Sequence, residues 1–504
     1  MALAGKKLFF VSLGCPKNRV DSEIMLGELT ARDYTVVESA EEADLLVVNT
    51  CSFVEEAREE SIDTILDLAR AKTDSGNKKT LVVSGCLAQR HSKELEVEIP
   101  EVDAFFGTGD HWRIGAYVDE RLGPAGLGQM GSSQAAKNLV SEVQAELDAD
   151  GEVVAPGAPL TIVGRPGYNY DAYSPRVVTT PAWTAYVKIA EGCSQRCSYC
   201  IIPRLRGAAK SRPIDDVAME VRNLAARGVK EINLIAQDLT HYGDDRKDGT
   251  TLAGLLRELV KVDGVHWIRL LYLYPHNFTD ELIDLMATEP KIAKYVDMPL
   301  QHISDNMLNV MRRRFSEADT RALVKKLRER VPGLVFRTTF IVGHPGETEA
   351  DFQTLVDFVR ESRFERMGVF KYSQEEGTHA ARRTDHVLTL QKEDRYHRLM
   401  TVQQGISAEL QQAMIGKRIE VLVEGRSEET DLLLQARNYG QAPEIDGVTY
   451  INEGWAEPGD IVWAEVVDAG DYDLVARIID PSEVSDDDAE ADDDRALEPA
   501  PAFA

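Results

Sequence analysis

The sequence predicts an α/β chain in three parts: an N-terminal doubly wound parallel sheet, a central partial (β/α)6 barrel and a small C-terminal all-β barrel. Two series of short apolar runs alternating with amphipathic helical stretches, parted by a Gly/Pro-rich break, predict the first two parts. A closing run of short strands and tight turns predicts the third. With 504 residues the chain exceeds what one core supports, and 43% hydrophobic with 28% charged residues is a globular composition.

The first part covers residues 5–118. KLFFVSL reads as a buried strand followed by a helix from Asp21 to Arg32. ADLLVVN precedes a helix from about Ser52 to Ala71, and TLVVSG leads into AQRHSKELEV. Unbroken apolar strands of this kind belong in a parallel sheet covered on both faces. The opening MALAGKKLFFVSLGC also has the outline of a lipoprotein signal. Its apolar core, LFFVSLG, is at the short limit, and Leu13 stands where such a cleavage site wants a smaller residue. No apolar run approaches the ~20 residues of a membrane span. The expected location is therefore the cytoplasm, where thiols stay reduced and six cysteines point to ligands or catalysts rather than disulfides.

Residues 119–178 break the rhythm with GPAGLGQMGSSQ, DADGEVVAPGAPL and GRPGYNYDAYSPR, which predict a flexible linker carrying one helix at about 134–148. Residues 179–415 resume the alternation, with strands expected at TAYVKIA, EINLIA, WIRLLYL, KYVDMP, VFRTTFIV and MGVFKY. Six β/α units favour a barrel, closed or open, over a flat sheet. Short strands between turns such as EIDG, EPGD and DAGDYD make residues 416–480 a small β-barrel. The tail from 481 to 504 is disordered by composition.

The cysteines carry the chemistry. Cys193, Cys197 and Cys200 stand in EGCSQRCSYC, directly after the first barrel strand, at the end where barrel active sites lie. Soft thiolates suit iron–sulfur clusters, zinc or Cu(I). A structural zinc loop is the alternative reading, but it wants four ligands, and residues 201–240 contain no Cys or His. A cubane held by three thiolates keeps one iron open for a cofactor. The other three, Cys15, Cys51 and Cys86, each follow an N-terminal strand (SLGC, VVNTC, VSGC) and would share the carboxyl edge of the sheet, the ligand crevice of open α/β folds. Read blandly, these are three small buried hydrophobes. Read chemically, they are a second three-thiolate site.

SLGCPKNRVDSE, VVNTCSF, VSGCLAQR, EGCSQRCSYCIIPRLRG, DMPLQH, IVGHPGET and GVFKYSQEEGT together closely resemble the methylthiotransferases of the radical S-adenosylmethionine (SAM) superfamily, over residues 5–480 apart from the linker. The resemblance implies an N-terminal methylthiotransferase domain, a radical-SAM core and a C-terminal TRAM domain. It also implies two 4Fe–4S clusters, one on Cys193, Cys197 and Cys200 that cleaves SAM, and one on Cys15, Cys51 and Cys86 that carries the sulfur to be transferred. SAM then serves both as methyl donor and as radical source. Strand-end position and resemblance together nominate Tyr199, Gln237, Gln301, Arg337 and Gly343 for the SAM pocket. His302 reads as structural, with the SAM pocket as its alternative; Arg312, Arg313 and Arg314 read as a solvated helix end, with contact to SAM or ribosomal RNA as theirs.

Two substrates compete within this family: a modified adenosine beside the anticodon of tRNA, and the β-carbon of an aspartate in small-subunit ribosomal protein S-twelve. The wording SLGCPKN, QDLTHYG and VFKYSQEEGT resembles the second branch. Charge agrees. Residues 412–480 carry five Lys/Arg against fifteen Asp/Glu, the tail from 481 to 504 is net −8, and the whole chain is −28. Such a field repels phosphates and attracts a basic ribosomal protein, free or in the small subunit. A pure RNA-binding protein is opposed by the same charge, and an electron carrier usually fills all four ligand positions of its cluster. The expected accessories are an electron donor such as flavodoxin or ferredoxin and a sulfur source, with the chain a monomer off the membrane.

Overall fold

The computed structural model describes residues 5–122, 159–480 and 482. Its described residues form two compact units. The first takes Met1–Thr179 with Ala190–Gln195 and Ile201–Arg212; the second takes Thr180–Ile189, Arg196–Cys200 and Pro213–Ala504.

The first unit is built on strands β1 (Lys7–Ser12), β2 (Thr35–Val36), β3 (Leu45–Thr50), β4 (Thr80–Gly85), β5 (Ala104–Phe106) and β6 (Leu160–Ile162), all parallel in the order β2-β1-β3-β4-β5-β6. Side chains alternate across a strand, so each central strand feeds two cores. Leu45 and Val47 of β3 pack with Met25 and Leu29 of helix α1 (Pro16–Thr30). Leu46 and Val48 pack on the other face with Ile65 and Leu68 of α2 (Glu55–Asp74) and Leu87 and Leu95 of α3 (Cys86–Glu98). This is the doubly wound sheet that the unbroken apolar strands predict.

The linker expectation is corrected in its second half. Residues 159–178 are not a spacer: β6 adds a sixth strand alongside β5. Beyond it, Arg176 Nη2 meets the buried Glu23 carboxylate at 2.6 Å, and the Thr179 amide donates to Glu23 at 2.7 Å. A three-residue edge strand paired on one side leaves too little apolar signal to stand out in a Gly/Pro-rich stretch. The helix expected at about 134–148 and the tail, apart from Ser482, lie outside the described residues.

In the second unit, β7 (Thr184–Lys188), β8 (Glu231–Ile235), β9 (Trp267–Leu270), β10 (Ile292–Asp297), β11 (Val335–Val342) and β12 (Arg366–Lys371) form one parallel sheet in sequence order. No pairing joins β12 back to β7 among the described residues, so the barrel is open. Two helices of this unit start on a reciprocal capping box, Ser316 with Asp319 and Thr348 with Asp351. The chain ends in a closed barrel of β13 (Arg418–Arg426), β14 (Leu434–Arg437), β15 (Thr449–Glu453), β16 (Ile461–Ala469) and β17 (Leu474–Ile478), ordered β13-β14-β15-β17-β16. Buried Arg437 of this small barrel reaches Glu231 of β8 at 2.7 Å, and Arg269 of β9 meets the same carboxylate at 3.0 Å. No described helix is long and apolar enough to cross a membrane.

Candidate active site

The chain runs from β1 to β2 on one side and then returns to β3 on the other, so the strand order reverses between β1 and β3. That switch point is where open α/β sheets leave a crevice at their carboxyl edge. Cys15 caps α1 just beyond β1, Cys51 follows β3, and Cys86 opens α3 directly after β4. Two glycines let these turns close on one another. Gly14 has φ +88°, and a Cβ on it would lie 2.9 Å from Cys51 Sγ. Gly85 has φ +97°, and a Cβ there would strike Asn49 Oδ1 and lie 2.5 Å from the Thr50 carbonyl. Alanine at position 85 therefore meets both a left-handed backbone and a backbone clash. We expect Gly85→Ala to lose about 1–3 kcal/mol from strain alone and to load less iron than the parent, read by chemical denaturation and iron analysis. Unchanged values for both would show that the turn has more room than its geometry allows.

A polar frame holds the same edge. Asn18 Nδ2 donates to the Leu13 carbonyl at 2.6 Å, and Asn49 Nδ2 donates to the Asn18 carbonyl and Ser22 Oγ, both at 2.9 Å. The Cys51 amide donates to Ser61 Oγ at 3.0 Å. Burial pushes the Cys51 thiol up to about 12, helped by the nearby sulfurs of Cys86 and Cys15. Burial raises Cys86 too, opposed by Arg206, whose Nη2 lies 3.6 Å from the Cys86 sulfur. Three thiols close enough to feel one another, beside a buried cation and under glycines rather than side chains, fit a metal cluster that takes thiolate ligands. Among the described residues no three His, Cys, Asp or Glu side chains close around a point as a single ion would demand. A cluster of several irons spreads its ligands wider than one ion does.

Cys193, Cys197 and Cys200 lie on the loop after β7, with Cys193 in the first unit and the other two in the second. In the first unit the Cys193 amide donates to the Gly207 carbonyl at 2.9 Å. In the second, the loop is pinned through Ser198, whose amide donates to Met311 O at 2.9 Å and whose carbonyl accepts from the Ala380 amide at 2.8 Å. The three-arginine run does not behave as one solvated end. Arg312 and Arg314 are exposed, but Arg313 is buried, with Nη1 3.8 Å from Cys197 Sγ and 3.4 Å from Tyr199 Oη. Nη2 donates to the Pro299 carbonyl at 2.7 Å, and the guanidinium lies 4.1 Å from the Tyr274 ring centroid. Arg313 is thus a cation laid beside the Cys197 sulfur.

The nominated SAM-pocket residues separate. Tyr199 is held by Arg313 and meets the His344 ring edge-on at 6.3 Å; burial, then the neighbouring Cys197, raises its hydroxyl well above the usual tyrosine range. Gln237 stands two residues past β8, and Gln301, at φ +71°, bridges to Phe340 beyond the end of β10. Both keep strand-end positions. Arg337 is already engaged by Asp297 at 2.7 Å and by Asp446 of the small barrel at 3.5 Å. At Gly343, with φ +72°, the space a side chain would take is filled by the stem of Lys392. His302 is fully buried between Glu347, at 3.1 Å, and the Ser304 amide, as a structural histidine should be. The sequence reading missed Arg206 and the role of Arg313. Both are ordinary members of a set of 57 Lys/Arg, and no spacing rule marks an arginine that a fold carries to a distant cysteine.

Comparison with known proteins bears on the whole chain. Three family models match: uncharacterized protein family UPF0004 over residues 7–107, the radical SAM superfamily over 187–359, and the TRAM domain over 415–479. Ribosomal protein uS12 methylthiotransferase RimO of Pelobacter propionicus is 49% identical over 473 residues, 94% of this chain and 98% of that one. The protein of the same name from Anaeromyxobacter sp. (strain K) is 50% identical over 478 residues, 94% of each chain. Among solved structures, the radical SAM methyltransferase TsrM from Kitasatospora setae, with cobalamin and a 4Fe–4S cluster bound, superposes with a TM-score of 0.51 at 16% identity, covering 74% of this chain and 73% of that one. At that identity the likeness is one of fold.

Proposed function

We propose that this chain adds a methylthio group to ribosomal protein uS12, because it belongs to the RimO family of radical-SAM methylthiotransferases. The observation that carries the reading is the match to full-length relatives across all three parts of the chain. On this reading Cys193, Cys197 and Cys200 hold the cluster that receives SAM, and Cys15, Cys51 and Cys86 hold a second one. When loaded, the two 4Fe–4S clusters and SAM supply a one-electron cleavage that opens a substrate C–H bond and a sulfur that fills it. The chain's own residues do the rest. The crevice edge of the first unit presents three thiols in a frame fixed by Asn18 and Asn49. Arg313 and Tyr199 orient Cys197, while Gln237 and Gln301 offer polar side chains at the strand ends where a SAM head group would be read. Arg337 and Gly343, spoken for by Asp297 and Lys392, act from behind that layer.

The target carbon is the β-carbon of one uS12 aspartate. The small barrel's ten-charge acid excess supports a basic protein over tRNA as the substrate. A flavodoxin- or ferredoxin-class donor would bring the electron, a separate source the sulfur, and the enzyme would work as a monomer in the cytoplasm, where ribosomal proteins are made. The test is a competition under anaerobic conditions. Reconstituted enzyme receives SAM, reductant and sulfide with recombinant uS12 and unmodified tRNA together, and both are read by mass spectrometry. We expect one methylthio group on a single aspartate of the protein and none on the RNA. An adduct on tRNA alone would overturn the substrate while leaving the chemistry.

A further inference from the structure

Arg206 stands six residues beyond Cys200 in the chain, on the short helix Ile202–Arg206, yet its side chain belongs to the N-terminal cysteine site. It is 2% exposed. Nη1 donates to Asp21 Oδ2 at 2.6 Å and reaches Glu191 Oε2 at 3.3 Å, and Nη2 donates to Asn18 Oδ1 at 3.1 Å and to Cys86 Sγ at 3.6 Å. A guanidinium is a rigid planar fork. With one arm fixed by two carboxylates and the other shared with Asn18, the N–H that faces the sulfur is aimed, not free to swing. Asn18 in turn is tied to the backbone before Cys15, and Asp21 lies on α1, the helix that Cys15 caps. The one arginine therefore touches or braces the elements that carry two of the three cysteines.

We propose that Arg206 tunes the cluster assigned to Cys15, Cys51 and Cys86: its hydrogen bond to the Cys86 thiolate keeps that cluster easier to reduce. The inference rests on the two-cluster reading above. Reduction adds one negative charge, spread over irons and thiolates. In a buried site that charge is stabilised by a fixed cation and by hydrogen bonds to sulfur, and such bonds are among the levers that set cluster potentials. Arg206 is a positioning and tuning residue, since it acts through Cys86. An arginine that acted only as a bridge between Asp21 and Glu191, without its bond to sulfur, would leave the potential unmoved when lysine keeps the charge in place.

The experiment uses the full chain with Cys193, Cys197 and Cys200 changed to alanine, so that only the N-terminal cluster remains. Its midpoint potential is read by EPR-monitored titration in that background, then with Arg206→Lys and Arg206→Gln added. Lysine keeps the charge, but its single nitrogen cannot serve Asp21 and Cys86 together; glutamine keeps a donor and loses the charge. We expect both variants to shift the potential downward, glutamine further, by at least a tenfold change in the oxidised-to-reduced ratio, or about 59 mV for a one-electron couple. Iron content equal to the parent's confirms an intact site. An unmoved potential at parental iron content overturns the inference. Because glutamine leaves two buried carboxylates without their cation and can prevent folding, a second measurement needs no substitution at Arg206. Pulsed EPR on protein labelled with 15N-arginine should show nitrogen coupling to the reduced cluster, and its absence overturns the assignment. Absence of any cluster from the triple-cysteine background would overturn the two-cluster reading and this inference with it.

Discussion

Alanine at Cys197 should abolish SAM cleavage and methylthio transfer together while about half of the iron remains bound. Alanine at Cys51 should abolish methylthio transfer and spare cleavage of SAM to 5′-deoxyadenosine. The two outcomes differ because the six cysteines fall into two sets of three, one on the loop after β7 and one at the carboxyl edge of the N-terminal sheet. A cubane that already leaves one iron without a protein ligand has no thiolate to spare. Losing one of three should therefore cost more than the ~10–100-fold typical of a lost outer-shell partner, and product should fall below detection. Three readouts separate the sets: iron analysis, chromatography of 5′-deoxyadenosine, and mass spectrometry of uS12. Retention of full iron and activity by the Cys51 variant would mean that the N-terminal thiols are the small buried hydrophobes of the bland reading. Because Cys51 is buried and packs under Gly14, serine at the same position serves as the volume-conserving control.

The division of the cysteines into two sets is legible in the sequence itself. Ligand cysteines announce themselves by spacing within one loop, or by recurrence at the same place in successive strand–helix units. Cys15, Cys51 and Cys86 recur because each ends a strand of one parallel sheet, and parallel sheets gather strand ends at one edge. The six barrel strands are legible for a similar reason, as short apolar runs between amphipathic helices. β6 is not, because three residues on a sheet edge carry almost no periodic signal, and its membership depends on β5 being there to receive it. Arg206 and Arg313 were hidden for a different cause. Each reaches a cysteine more than a hundred residues away in sequence, through contacts that exist only once the fold is made. Charge was legible in bulk and misleading in detail: three consecutive arginines suggested one surface patch, yet the middle one is buried against Tyr274 and the outer two are not. Alternation of burial along a turn separates neighbours that composition groups together.

Glutamine at Glu231 should be strongly destabilising although it changes neither size nor shape. Glu231 opens β8, is fully buried, and accepts from Arg269 of β9 at 3.0 Å and from Arg437 of the small barrel at 2.7 Å. Thr184 Oγ1 of β7 donates to the same carboxylate at 2.9 Å. One anion thus answers two buried guanidinium groups and joins three strands of the open barrel to the closed one that follows. Glutamine preserves shape but leaves Arg269 in low dielectric without its carboxylate and Arg437 with Glu424 alone, a loss of ~3–5 kcal/mol by analogy with other broken buried pairs. Linkage gives the pH dependence its sign. Burial on its own would raise the Glu231 carboxyl, but Arg437 and Arg269 override it and bring the pKa down to about 2. The unfolded value is about 4.3, so the native state holds the proton more weakly than the unfolded state does. The stabilisation is complete above about 4.3 and is lost as pH falls from there toward about 2. Parent and Glu231→Gln proteins should therefore differ by a constant margin at neutral pH in urea unfolding, and the margin should narrow across that acidic window. A margin below about 0.5 kcal/mol at pH 7, the ordinary scale of surface substitutions, would mean that the arginines find other partners and that the two barrels are held together by packing alone.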